Sequence, residues 1–468
     1  MNRLLFYFLF LSAVLGGCST GPEYRRPAAE LPDAWQAAPA QGQAVSGERW
    51  WTLYGDATLT RLVDEALAGN QDLALAAARL DEARALARIA DAELVPSVDA
   101  GFQRDRTRRS DSTATRFPGS PENNNYRAQI NVAYELDLWG RLHDGAKAAR
   151  AELLASTAAR DTVRIALTAE VVQSYYALVA FDAQIAATRK SLALRADNLR
   201  LQRIRTDAGL GNDFALRQLE AEVAAAQAQL PALERRRTGE ELALGVLLGR
   251  SPRALINDAV AREAGPDRPA APVIPADLPS ALLLRRPDVA GAEQQLIAAN
   301  ARIGAARAAL FPRIGLSGYL GSESAALSNL FSGPAQIWNL GFALAQPIFQ
   351  GGRLFGEIEA VQARERQALA QYQKTLQTAF RETHDALVAQ AKAREVFDAE
   401  TARATALGES LRLARIRYEN GLTSQLEVLD AERNLLGAEL NRADALRAQR
   451  TAIAGVVKAL GGGWDGSK

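Results

Sequence analysis

The sequence predicts a mixed, mainly α-helical protein, internally duplicated, with long coiled-coil helices and four membrane-type β-strands per chain. Three observations predict it. The passage LRLQRIRTDAGL at Leu199–Leu210 returns as LRLARIRYENGL at Leu411–Leu422, identical at eight of twelve positions and offset by 212. Apolar and small residues recur in steps of three and four along extended tracts. Two short alternating segments separate helical tracts in each half. Solenoid units run to about 20–50 residues, so a period this long marks a duplicated half.

Composition agrees. A formal net charge of +1 on 468 residues gives no bulk attraction for nucleic acid. Aromatic residues make up 6%, while Ala, Leu, Arg, Glu and Gln fill the long tracts, a mixture suited to closely packed helices. One Cys and two His exclude an intrachain disulfide and leave no Cys/His metal cluster. No metal and no cofactor are expected.

The chain opens with a basic Arg3, an apolar run from Leu4 to Leu15, then Gly16, Gly17 and Cys18. This reads as a signal peptide over 1–17, too short for a spanning helix of about 20 residues. Its end resembles a bacterial lipobox. That implies cleavage before Cys18 and N-acyl and S-diacylglycerol groups on that residue, with Ser19 favouring outer-membrane sorting. Residues 18–57 form an N-terminal anchor and equatorial segment.

The first repeat spans 58–249. Leu59, Leu62, Ala66, Gly69, Leu73, Ala76 and Leu80 continue a heptad seam through the tract Thr58–Leu94. Strands follow at about 97–107 and 126–138, and the polar, turn-rich Arg106–Asn125 reads as a loop outside the cell. The proline-free tract Arg141–Ala208 reaches ~100 Å as a helix, turning at Gly209. Gly211–Gly249 is a shorter helix with Pro231 inside it, where a kink is expected. Two short helices of ~55 Å laid end to end match one long helix. Residues 250–280 form a Pro-rich equatorial linker. The second repeat, 281–460, carries strands at about 313–322 and 336–348 and a long helix turning at Gly421, and 461–468 is a tail.

The strands supply the membrane argument. Ile130, Val132, Tyr134, Leu136 and Leu138 alternate with Gln129, Asn131, Ala133, Glu135 and Asp137, as a transmembrane barrel requires. Four strands cannot close a barrel, and open edges in lipid cost several kcal/mol per unpaired group. If these strands span a membrane the chain must therefore oligomerise, and three copies supply about twelve strands.

With these features in place, the sequence resembles the TolC-like outer membrane factors, in the OprM-type (NodT-type) lipoprotein branch. The markers are Gly21-Pro22-x-Tyr24-x-Arg26-Pro27, Trp50-Trp51-x-x-Tyr54-x-Asp56, and RRPDVAGAEQQLIAANARIGAARAALFPRI from Arg285 to Ile314. The resemblance implies a homotrimer with a β-barrel in the outer membrane and an α-barrel through the periplasm. It also implies docking to a periplasmic adaptor and an inner-membrane pump of the resistance-nodulation-division type. The expected function is an export duct for drugs or other small molecules. A lipid-anchored periplasmic coiled-coil adaptor and the outer-membrane duct of a type I protein secretion system are the alternatives.

Glu427 and Asp430 stand three apart on one helical face after the Gly421 turn. They match paired acidic residues at the family's narrow periplasmic entrance, and a threefold assembly would make them rings. Tyr418 matches a tyrosine used in closing that entrance. Thr423 stands where TolC carries its latch arginine and Ala215 where the acidic partner would be. Any latch is therefore expected to use other contacts, with Asp213 and Arg217 against the neighbouring chain as candidates. His143 and His384 have no nucleophile or ligand spacing beside them, and Arg286-Pro287-Asp288 reads as helix capping, so no enzyme is expected.

Overall fold

The computed structural model describes residues 20–29, 32, 49–110, 112, 120–257, 259–260, 262, 272 and 280–463. Cys18 and the expected signal peptide lie outside the described residues. After a 3-10 turn at Trp50–Tyr54, the helices are α1 (Ala57–Gly69), α2 (Gln71–Ala92), α3 (Arg141–Asp207), α4 (Asp213–Leu247), α5 (Pro252–Asn257), α6 (Pro287–Ala308), α7 (Arg353–Glu419) and α8 (Gln425–Ala459). The strands are β1 (Ser97–Arg108), β2 (Glu122–Leu136), β3 (Arg313–Ser324) and β4 (Gln336–Ala345).

The duplication is kept to the residue. Helices α3 and α7 each have 67 residues and α4 and α8 each have 35. Their ends lie 212 apart, whereas α2 with α6 and β1 with β3 lie 216 apart. The slippage is thus confined to the strand pair and its connections. The helix ends repeat as well. Gly209, Gly249, Gly421 and Gly461 have φ of +73°, +72°, +71° and +85°. The Leu210 amide donates to the Arg205 carbonyl at 2.8 Å and that of Leu422 to Arg417 at 2.8 Å. These are Schellman ends, where glycine takes the left-handed position without a Cβ clash.

The tract Thr58–Leu94 is two helices rather than one. Asn70 breaks it with an extended ψ of 130°, and its Oδ1 accepts from the Leu73 amide at 2.9 Å, capping α2. Its Nδ2 donates to the Leu247 carbonyl at 2.9 Å, the last residue of α4. The second repeat places Arg286 at the matching joint, where Nη1 donates to the Ala459 carbonyl at 2.7 Å at the end of α8. Short helices therefore abut end to end twice, once through an amide and once through a guanidinium. Pro231 lies inside α4, which continues through it. In the Pro-rich linker, Pro252 opens the short helix α5, since a missing N–H costs nothing at a first helical position.

The Cα framework divides into two compact units, and the divisions fall inside α2, α3, α6 and α7, so they cut across the repeats. In one unit, Trp50, Trp51 and Tyr54 are buried with Tyr175 and Tyr176. Asp56 caps α1 through Leu59 at 2.9 Å and accepts from the Tyr175 hydroxyl at 2.6 Å. The Tyr54 hydroxyl donates to the Arg450 carbonyl at 2.7 Å, and burial pushes its pKa well up. The Trp-Trp-x-x-Tyr-x-Asp marker is thus a core plug with every hydroxyl and carboxylate used.

The other unit holds a four-stranded antiparallel sheet in the order β1-β2-β3-β4. The repeats meet at β2 and β3, where Arg127 stands opposite Glu323 and donates to it at 2.6 Å. The strand β1 runs to Arg108 and β2 starts at Glu122, so both enter the stretch expected as an external loop. Strand β4 stops at Ala345 before Gln346 and Pro347, since Pro cannot extend a ladder as donor. The N-terminal marker is a strap on α6. Arg26 holds Glu293 through two bonds of 2.6 and 2.8 Å, and the Tyr24 hydroxyl adds a third at 3.1 Å.

Candidate functional site

The sheet has two chemically distinct faces. Cross-strand rows Val98, Val132, Gly318, Leu340 and Ala100, Ile130, Leu320, Trp338 lie on one. Tyr134, Leu316, Phe342 and Leu136, Ile314, Leu344 extend it towards the helices. Trp338 is 76% exposed and Leu340 81%, so nothing among the described residues covers this face. Along β3 from Ile314 to Ser322 the band measures ~27 Å, at ~3.4 Å per residue. The opposite face carries Asp99, Asn131, Tyr319 and Asn339 in one row and Gln103, Arg127 and Glu323 in another. One face suits lipid and the other water.

At the helix tips, Glu427 and Asp430 are exposed on the first turns of α8 and line one groove of about 840 Å³. Glu222 of α4 and Glu409 and Arg417 of α7 share it. Asp430 accepts from Asn434 at 3.1 Å and from Arg433. Glu409 is held below the usual carboxylate range by its hydrogen bonds from Arg412. The groove is rich in carboxylates and open to solvent.

Tyr418 points elsewhere. It packs on Leu411, Val428 and Ala431, and its hydroxyl accepts from Arg205 Nη1 of α3 at 3.0 Å. Arg217 is engaged within the chain, donating to Glu220 at 2.8 Å, and Asp213 is exposed in the first turn of α4. Sequence reasoning passed over the pairs that bind these helices together. Arg203 donates to Glu220 at 2.9 Å, tying α3 to α4. The equivalents 212 residues on, Arg415 and Glu432, tie α7 to α8 at 2.8 Å. Asn198 reaches Glu432 at 3.4 Å, joining α3 to that second pair. The signal was present, since the repeated phrase keeps Arg203 and Arg415, and Glu220 pairs with Glu432 at the same offset.

Hydrogen bonds from Arg203 first, then Arg217, lower the Glu220 pKa. A lowered native value stabilises the pair above the ordinary glutamate pKa of about 4.3, and that contribution is lost as pH falls through the native value. Protection of the α3–α4 tip amides, taken relative to the intrinsic exchange rate at each pH, is therefore expected to fall below pH ~4, and less so in Glu220→Gln, which has no charge left to lose. Equal pH dependence in both proteins would remove Glu220 from the account.

A sheet apolar on one side and polar on the other, carried by 67-residue helices, defines an outer-membrane channel protein of the efflux class. The chain belongs to the outer membrane efflux protein family, whose model matches residues 62–250 and 278–462. It is 38% identical over 462 residues to the outer membrane protein OprJ of Pseudomonas aeruginosa, covering 98% of this chain and 95% of that one. It is 34% identical to the solvent efflux pump outer membrane protein SrpC of Pseudomonas putida, covering 98% of each. The crystal structure of the Campylobacter jejuni CmeC outer membrane channel superposes with a TM-score of 0.90 at 26% identity, covering 96% of each chain. The chain is thus an outer-membrane efflux channel of the OprM type.

Proposed function

We propose that three copies of the chain close one β-barrel and one helical duct, which conducts small organic molecules passively out of the cell. The observation that carries this is the sheet: β1 and β4 are edges with no further strand beside them among the described residues, while one face is apolar and exposed. Open edges in hydrocarbon are prohibitive, so strands from sibling copies must pair with them. The driving force comes from an inner-membrane pump reached through a periplasmic adaptor. A solvent pump component among the relatives favours apolar cargo. Cys18 bears the lipid anchor in this reading. Purified protein should run as a trimer in mild detergent and form channels in planar bilayers. A stable monomer without conductance would overturn the reading.

The helix tips form the entrance. Glu427 and Asp430 face the conduit as rings, Tyr418 is fastened to Arg205 within the chain, and Asp213 and Arg217 contact the neighbouring copy. Carboxylate rings at a constriction favour cations. Glu427→Gln with Asp430→Asn is therefore expected to move the reversal potential under a KCl gradient towards zero, with the cation preference falling about threefold or more. An unchanged reversal potential would take both residues off the conduit wall.

A further inference from the structure

The seam inside the sheet specifies the seam that a second copy must make. Ser97 stands opposite Ala133 and Arg313 opposite Ala345, so β3 repeats β1 at an offset of 216 and β4 repeats β2 at 212. The joint between repeats, β2 against β3, is formed within the chain. A joint from β4 to β1 of another copy brings together the same two halves in the same order. Carrying Val132 forward by 212 gives Leu344, and carrying its partner Gly318 back by 216 gives Phe102. Leu136 and Ile314 carry over in the same way to Ile348 and Val98.

Backbone direction agrees with this transfer. The Ala128 carbonyl oxygen lies against Gly321, so even-numbered residues of β2 turn their polar groups to β3. Odd-numbered residues of β2 therefore face β1, pairing odd with odd as Ala133 does with Ser97. That leaves the even-numbered residues of β1 on its open edge. The Asn339 carbonyl oxygen comes within 3.3 Å of the place a Cβ on Gly318 would take, so odd-numbered residues of β4 face β3. The open edge of β4 thus also presents even-numbered residues. Leu344 with Phe102 and Ile348 with Val98 match even to even, and all four lie on the apolar face. A slip of one residue would turn that face inwards.

The end of the ladder agrees as well. Strand β2 pairs with β1 only as far as Ala133, and its last three residues, Tyr134 to Leu136, are held by β3 alone. Strand β4 pairs with β3 only as far as Ala345, the equivalent of Ala133, and ends there. Gln346, Pro347 and Ile348 stand where Tyr134, Glu135 and Leu136 stand in the first repeat. Pro347 is odd-numbered, so the N–H it lacks would have faced β3 and not the open edge.

We propose that β4 of one copy pairs antiparallel with β1 of the next in this one register, Leu344 opposite Phe102, and that the pairing extends β4 through Ile348. The inference rests on the trimeric reading of the sheet. Equal seams let all strands of the closed sheet share one tilt and stagger. The apolar band then crosses the seam unbroken through Ile348, Val98, Leu344 and Phe102, each more than half exposed in a single chain. The clasp below the ladder is not repeated. Trp139 stacks on Phe311 at 4.8 Å within the chain, whereas the equivalent positions are Gly351 and Val95, so no ring pair fastens the seam between copies.

The test is disulfide cross-linking of the full-length protein in outer-membrane vesicles. Gln103 and Ala343 are exposed and fall opposite one another in the proposed register, as a non-hydrogen-bonded pair with Cα atoms ~4.5 Å apart. Within one chain they sit on the two edge strands, ~14 Å apart and out of reach. Gln103→Cys with Ala343→Cys should therefore yield a covalent trimer under mild oxidation. Ala343→Cys with Gly101→Cys, or with Asp105→Cys, is displaced by ~7 Å along the strand and should yield about tenfold less or lower. Thr107→Cys with Asn339→Cys is a second pair in register, and the wild-type protein sets the background from Cys18. Each protein is also run in mild detergent and recorded in planar bilayers. Trimers with channels in which a displaced pair cross-links as well as Gln103 with Ala343, or in which neither pair in register cross-links, would overturn the register and leave the duct standing. Wild-type monomer without conductance would overturn both.

Discussion

Arg286→Ala is expected to lower the stability of the chain by about 2–4 kcal/mol, read as a fall in the thermal melt followed by helical circular dichroism. The Arg286 side chain is only 7% exposed, and four groups depend on it. Its Nη2 pairs with Asp288 at 2.8 Å and Glu382 at 2.9 Å, and its Nη1 donates to the carbonyls of Ala459 at 2.7 Å and Ala379 at 3.4 Å. Burial works against the charge, while the two carboxylates more than offset it and the guanidinium pKa rises. Truncation would strand both carboxylates near the end of α8. They are 32% and 43% exposed and can rehydrate in part, which keeps the cost below the 3–5 kcal/mol of a wholly buried pair broken on one side. The Ala459 carbonyl keeps one partner, the Thr383 hydroxyl at 2.8 Å.

The repeat supplies its own control. Asn70 occupies the same joint in the first half, with a neutral amide and no carboxylates. Asn70→Ala removes a helix cap and one hydrogen bond, a loss of about 1–2 kcal/mol. Arg286→Lys keeps the charge without the fork and should fall between wild type and alanine. If Arg286→Ala melts no lower than Asn70→Ala, the guanidinium is not what holds the second joint.

The architecture was legible because repetition is visible without coordinates. The 212-residue offset, the Gly turns and the strand alternation all survive in the letters, since a duplicated fold reuses the same caps and the same periodicity. The joints were less legible. Asn70 sits in an unbroken heptad pattern, and only the approach of Leu247 shows why an N-cap is placed there. The outer reach of β1 and β2 was hidden for a different reason. Arginine, threonine and asparagine read as loop by composition, yet Arg104 to Arg108 and Glu122 to Asn125 remain in register. At the helix tips, Glu427 and Asp430 could be placed on one face by spacing alone. The contact between Arg205 and Tyr418 could not, because it joins residues 213 apart on separate helices.

The second large effect expected is a parity effect in the sheet. Val132 and Asn131 are adjacent in β2 and belong to opposite faces. Val132 lies in the middle of the apolar band, in the row Val98, Val132, Gly318, Leu340, and is 41% exposed among the described residues. Val132→Arg would set a guanidinium near the bilayer midplane, where an outward arginine costs ~2–4 kcal/mol in a barrel. Snorkelling offers little relief from mid-band, since the nearest charged row on that face begins at Arg104, ~20 Å along β1 from Val98. Asn131→Arg would add the same side chain one residue back, in the row of Asp99, Tyr319 and Asn339, where water solvates it. Its cost is expected to stay within about 1 kcal/mol. Both variants carry the same charge, the same volume and the same strand propensity, so their difference isolates the face. Folding into lipid vesicles, scored by the heat-sensitive shift in gel mobility, should fall sharply for the first and little for the second. Equal losses would mean that the two faces of the sheet meet the same solvent, and the proposed barrel would lose its inside and its outside.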